Sequence, residues 1–119
     1  MSIAENSLNA HPETIEAGAL SITVRIDDDE VYVIGLFGEA DLDSADTLEA
    51  TIAKWQRDRP VVVDLSGLDF IDSSGIAVLF RAVARSRKGG HELRLLRGSA
   101  RVDRIFVIAG LAGALPFVD

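Results

Sequence analysis

VVVDLSGLDFIDSSGIAVLFRAVARSRKGG, residues 61–90, sets the architecture of this chain. It opens on a β-branched apolar run that continues through Asp64-Leu65, breaks at Ser66-Gly67, and passes through Leu68-Asp69-Phe70-Ile71. At Asp72-Ser73-Ser74-Gly75 a helical pattern begins. A short apolar run bounded by turn residues predicts a buried strand of a parallel or mixed sheet. Ile76, Leu79, Phe80 and Val83 then recur at helical spacing. Arg81, Arg85, Arg87 and Lys88 fall between or after them, so the helix has an apolar face and a cationic, solvated one. Gly89-Gly90 ends it. Ser73 and Ser74 therefore fall in the first helical turn, where backbone N–H groups have no partner inside the helix.

Upstream, Ile22, Val24 and Ile26 alternate with Thr23 and Arg25, as a strand over 21–26 with one buried face would. Asp27-Asp28-Asp29-Glu30 is a polar turn, and Val31 to Phe37 is the returning, more apolar strand of a hairpin. The turn lacks the spacing, glycine and glutamate of a calcium loop. Residues 1–20 carry only scattered apolar residues without periodicity, which reads as a mobile tail ahead of a domain at 21–119. After Gly38-Glu39-Ala40-Asp41-Leu42, either Asp43 or Ser44 can cap a helix. Ala45, Leu48, Ile52 and Trp55 share its inner face, and it ends near Arg57, before Pro60. Downstream, Leu93 and Leu95 mark a half-exposed strand within His91 to Leu96. Val102, Ile105, Phe106 and Ala109 mark a helix stopped by Gly110, and Leu115 to Val118 is a candidate last strand. The sum is an α/β fold, a mixed β-sheet of four to five strands packed against α-helices in the order β-β-α-β-α-β-α.

With 119 residues the chain is expected to form one folded unit, burying roughly two-thirds of its unfolded surface without metal or disulfide support. Cysteine is absent, which removes disulfides, thiolate metal sites and cysteine nucleophiles and fits a reducing compartment. No basic segment followed by an apolar run opens the chain, and no apolar stretch approaches the ~20 residues of a membrane span. A cytoplasmic protein away from the membrane is expected. Twelve Lys and Arg against nineteen Asp and Glu give a formal charge of −7, which disfavours nucleic acid as a partner.

The residues carry little catalytic chemistry. The only histidines are His11 and His91, neither beside a nucleophile elbow, and Gly-x-Ser-x-Gly does not occur. Neither glycine-rich phosphate cradle is present, so no nucleotide or other cofactor site is read, and no metal site. Asp69 and Asp72 read as loop and capping residues rather than an acid–base pair. The Asp72-Ser73-Ser74-Gly75 loop supports two readings. In one, Asp72 or Ser73 caps the helix and Gly75 allows close approach of the strand behind. In the other, Ser73 accepts a phosphate, which adds about −1.5 to −2 units of charge and three acceptor oxygens. The helix N-terminus would favour that charge, and Asp69 and Asp72 would oppose it.

Gly38-Glu39-Ala40-Asp41, a helix, and then Val61 through Asp72-Ser73-Ser74-Gly75-Ile76 resemble the STAS domain family, most closely its bacterial anti-sigma factor antagonists. The likeness covers roughly Ile22 to Val118. It implies a protein without enzymatic activity whose unphosphorylated form binds an anti-sigma factor that is also a serine kinase, freeing a sigma factor. The kinase then modifies Ser73 and ends the interaction, and a PP2C-type phosphatase reverses the modification. Asp72 matches the acidic residue before the acceptor, expected to shape the loop and to meet the hydroxyl. Ser74 and Gly75 match the following motif positions, and Asp41 falls in a loop beside the phosphorylation site, so Asp41, Asp72, Ser73, Ser74 and Gly75 form the expected partner-binding set. The alternative within the family is a subunit or scaffold of a transporter or signalling assembly, with Ser73 structural. Family members usually continue into another helix beyond the position of Asp119. With Phe117 and Val118 near the end, a homodimer through this apolar region is a candidate assembly.

Overall fold

The computed structural model describes residues 12–89 and 91–118. Its elements are β1 (Glu13–Ala17), β2 (Leu20–Ile26), β3 (Tyr32–Ala40), α1 (Leu42–Trp55), β4 (Val61–Ile71), α2 (Ser73–Gly89), β5 (Leu93–Leu96), α3 (Ala100–Ile108) and β6 (Phe117–Val118). The strands form one six-stranded sheet in chain order. β1, β2 and β3 pair antiparallel, and β3 through β6 pair parallel. Each parallel step needs a crossover, supplied in turn by α1, α2 and α3.

Period-two burial shows where the helices lie. Leu20, Ile22, Val24 and Ile26 of β2 are buried, while Ser21, Thr23 and Arg25 between them are not. Val61, Val63 and Leu65 of β4 join the same core as Leu48 and Ile52 of α1, Val78, Leu79 and Ala82 of α2, and Val102 and Phe106 of α3. Burying each of the larger side chains contributes about 1.5–3 kcal/mol. Tyr32 and Trp55 meet edge to face at 4.9 Å, as do Phe106 and Phe117 at 5.2 Å. Phe117, half-buried, packs against the core of its own chain, with the Arg97 guanidinium over its ring at 5.1 Å.

Four expectations are corrected. Glu13–Ala17, read as tail, is a strand. It is held by its ladder to β2, from Glu13↔Val24 to Ala17↔Leu20, and it carries too few apolar residues to show a period. Residues 1–11 of the expected tail lie outside the described residues. With β1 and β6, the sheet has six strands rather than four or five. Ser66-Gly67 does not break the central strand, which runs through to Ile71. The ladder to β3 shifts register there, between Gly35 and Phe37, and the Phe37 ring fills the place of a side chain at Gly67, where a Cβ would stand 2.3 Å from Phe37 Cδ1. Finally, the cationic face of α2 is not simply solvated. Glu49 of α1 accepts hydrogen bonds from Arg81 Nε at 2.7 Å and Arg85 Nη2 at 3.0 Å. Gln56 Oε1 accepts from Arg85 Nε at 2.8 Å, and Gln56 Nε2 donates to the Ala82 carbonyl at 3.1 Å. Among the described residues, no helix is long and apolar enough to cross a membrane.

Candidate functional site

Two helices start side by side at one end of the sheet's central strands. Ala40 ends β3 and Ile71 ends β4, and the two residues are register partners. The Asp72 N–H donates to the Ala40 carbonyl at 3.0 Å, so the first residue after β4 is tied to the last of β3. Each strand is followed by an aspartate that caps the next helix, Asp41 for α1 and Asp72 for α2.

Asp72 satisfies the amides that α2 leaves open at its start. Its Oδ1 accepts from the Ser74 N–H at 2.8 Å and the Gly75 N–H at 3.1 Å, and its carbonyl accepts from Ile76 at 3.0 Å. The carboxylate also lies where the helix dipole favours negative charge. Asp72 thus caps α2 through its side chain. Its expected bond to the Ser73 hydroxyl is not among the hydrogen bonds of the described residues, whose side-chain bonds to Asp72 come from the Ser74 and Gly75 amides.

Ser73 is exposed, Ser74 half-buried and Gly75 buried. Gly75 has a packing reason. A Cβ there would lie 2.8 Å from Ile71 Cγ1 and 2.9 Å from the Ala40 carbonyl oxygen. The glycine lets the first turn of α2 settle onto the ends of both strands, which turns Ser73 outward.

Asp41, half-buried, performs the corresponding task on α1 and corrects the expectation that Asp43 or Ser44 is the cap. Its Oδ1 accepts from the Asp43 N–H at 3.1 Å, while Ser44 Oγ accepts from the Asp41 N–H at 3.0 Å, a reciprocal capping box. Sequence places Asp41, Asp43 and Ser44 all within reach of this helix start, and only the strand end at Ala40 decides among them.

The structure thus brings Asp41, Asp72, Ser73, Ser74 and Gly75 to one end of the sheet. It adds exposed apolar residues that periodicity did not reveal. Leu42, directly after Asp41, is 76% exposed, and Phe70, directly before Ile71, is 41% exposed. Beyond Phe70 an open cleft of about 860 Å³ is lined by Asp69 and by Arg101, Arg104, Ile105 and Ile108 of α3. Ile108 is 78% exposed. Phe70, Ile105 and Ile108 give this cleft exposed apolar surface flanked by acidic and basic groups, which suits docking of another protein.

The STAS domain model matches residues 21–119. The chain is 32% identical over 104 residues to the anti-sigma-F factor antagonist RsfA of Mycobacterium tuberculosis, covering 84% of this chain and 80% of that one. Its fold is similar to that of an anti-sigma factor antagonist from Mycobacterium paratuberculosis, with a TM-score of 0.71, 27% identity, and 82% and 84% of the two chains covered. The Bacillus cell fate determinant SpoIIAA, solved in its phosphorylated form, shares the fold with a TM-score of 0.63 at 23% identity, over 82% of this chain and 89% of that one. The six-stranded mixed sheet, the twin capped helices at one end of its central strands and the match over 21–119 together establish that this chain belongs to the STAS domain family.

Proposed function

We propose that this chain is an anti-sigma factor antagonist, a regulatory binding protein rather than an enzyme. Its unphosphorylated form binds an anti-sigma factor with serine kinase activity and frees a sigma factor. Phosphorylation of Ser73 ends that interaction, and a PP2C-type phosphatase restores it. The nucleotide and its magnesium belong to the kinase.

The observation that carries this reading is the exposure of Ser73 at a helix start whose neighbouring amides are already engaged by Asp72. A phosphate there is not drawn into the helix N-terminus, since the Ser74 and Gly75 N–H groups have their acceptor. It projects outward instead, with Asp72 beside it in sequence and the exposed Leu42 following the neighbouring cap Asp41. A partner seated on this surface would have to desolvate close to two negative charges without compensation, which lowers affinity and speeds release. The fold itself is left intact. The names of the relatives support the same reading, being anti-sigma factor antagonists.

The test is to purify the protein and its Ser73→Ala variant from the native host and to map phosphate by mass spectrometry, with circular dichroism on both. The reading expects phosphate on Ser73, none on the variant, and the same fold. Phosphate on Ser74 in both proteins would refute it.

A further inference from the structure

We infer that two copies of this chain associate through the free edge of β1, forming a two-fold dimer with a continuous sheet. Among the described residues β1 pairs only with β2. A sheet edge presents a row of open N–H and C=O groups that template pairing with another strand.

The hairpin fixes which groups are open. Ala17 and Leu20 flank a two-residue turn at Gly18-Ala19, so that pair exchanges both backbone hydrogen bonds, and alternation gives the same role to Ile15↔Ile22 and Glu13↔Val24. The N–H and C=O groups of Thr14 and Glu16 therefore point away from β2, toward the open edge.

A second copy related by a two-fold axis perpendicular to the sheet must pair those outward residues while keeping core face against core face. Centring the axis on Ile15 achieves both. Thr14 then exchanges hydrogen bonds with Glu16 of the other copy, Ile15 meets Ile15, and Glu13 meets Ala17, so no like charges stand opposite each other on the strands. Moving the axis to Glu16 sets Glu16 against Glu16. Moving it to Thr14 sets Glu13 against Ile15.

The surface beside this edge is self-complementary as well. A groove of about 390 Å³ runs between β1 and α1, lined by Ile15, Asp46, Ala50, Lys54 and Trp55. Asp46, Ala50 and Lys54 are exposed and follow one another at four-residue spacing along α1. Ile15 and Trp55 are apolar groups packed only partly into the core. A two-fold axis through Ile15 sets the two α1 helices antiparallel across the groove, bringing Asp46 of one toward Lys54 of the other. That reciprocity marks an isologous interface. Ser73 lies beyond the ends of β3 and β4, away from this edge, so the dimer leaves it exposed and stands or falls independently of the proposed switch.

The full chain contains no cysteine, so a single introduced thiol is a clean reporter. Opposed residues of a non-hydrogen-bonded antiparallel pair have Cα atoms about 4.5 Å apart, within disulfide range. Ile15→Cys is expected to form a covalent dimer under mild oxidation, whereas Thr14→Cys, opposed to Glu16, is not. Sedimentation of the cysteine-free charge variants gives the second measurement. Asp46→Lys and Lys54→Asp each place like charges in both symmetry-related pairs and weaken dimerisation about tenfold or more, and the double swap restores it. A chain that stays monomeric across the concentration series, equal cross-linking of Thr14→Cys and Ile15→Cys, or single charge variants that dimerise as tightly as the parent would each overturn the inference.

Discussion

Replacing Asp72 with alanine isolates the interaction that holds the 72–75 loop in shape. Its Oδ1 accepts from two amides, at 2.8 and 3.1 Å. Ser74 is half-buried and its freed N–H can recruit water, but Gly75 is buried beneath Ala40 and Ile71, so its N–H loses an acceptor that solvent does not replace. Loss of a capping side chain costs about 0.5–2 kcal/mol, and the buried second amide puts this case at the upper end, about 1.5–2 kcal/mol. In a chain of this size that lowers Tm by roughly 5–10 °C. Asp72→Asn separates geometry from charge, because asparagine keeps an acceptor at Oδ1 and gives up only the charge–dipole term, about 0.3–1 kcal/mol. Urea unfolding followed by circular dichroism measures both variants. The expected order of stability is wild type, then Asn, then Ala, with most of the loss at the last step. An alanine variant as stable as wild type, or an asparagine variant as unstable as alanine, would refute the assignment of Asp72 as the working cap.

Gly75→Val should destabilise by about 2–3 kcal/mol, because its Cβ meets the Ala40 carbonyl oxygen at 2.9 Å and its branched carbons crowd the first helical turn; unfolding in urea reads the loss. Phe106→Ala, which removes a ring that is 1% exposed and packed on Phe117, should cost about 3–5 kcal/mol by the same measurement. Burial pushes the Glu49 carboxyl up, but hydrogen bonds from Arg85 and Arg81 outweigh it and hold the group below its ordinary value of 4.5. A carboxyl depressed in the folded state stabilises fully above its unfolded pKa and ceases to do so as pH falls through its folded pKa. The stability gap between wild type and Glu49→Gln should therefore be constant above about pH 5 and shrink in more acidic solution. A gap that does not change with pH would contradict the ion-pair account.

What was legible in the sequence follows from how each element earns its stability. The inner faces of α1, α2 and α3 were readable because they bury side chains at helical spacing, and Leu48, Ile52, Leu79, Val102 and Phe106 all reach the core. β1 was not readable, since its place comes from backbone pairing to β2, and one large apolar residue, Ile15, with the small Ala17 gives too weak a period. The continuity of β4 through Ser66-Gly67 was hidden for a related reason: the Phe37 ring of the neighbouring strand covers the glycine. At the site, the motif 72–75 could be picked out as a helix start. That Ser73 faces solvent while Gly75 is locked beneath Ala40 depends on a strand far away in sequence. The exposure of Phe70 and Ile108 breaks no local pattern, and only the assembled fold brings them to one cleft. The bonds from Arg81 and Arg85 to Glu49 join helices that single-sequence reading treats separately.

The most direct test of the proposed switch compares two baits, the unmodified protein and Ser73→Glu, in paired pull-downs from native-host lysate with captured proteins identified by mass spectrometry. The account predicts that an ATP-binding anti-sigma factor kinase is retained by the unmodified protein and lost from the glutamate variant, with both baits equally folded. Retention of that kinase by both baits, or of the same transporter or scaffold subunits by both, would contradict it and leave Ser73 a structural residue at a helix start.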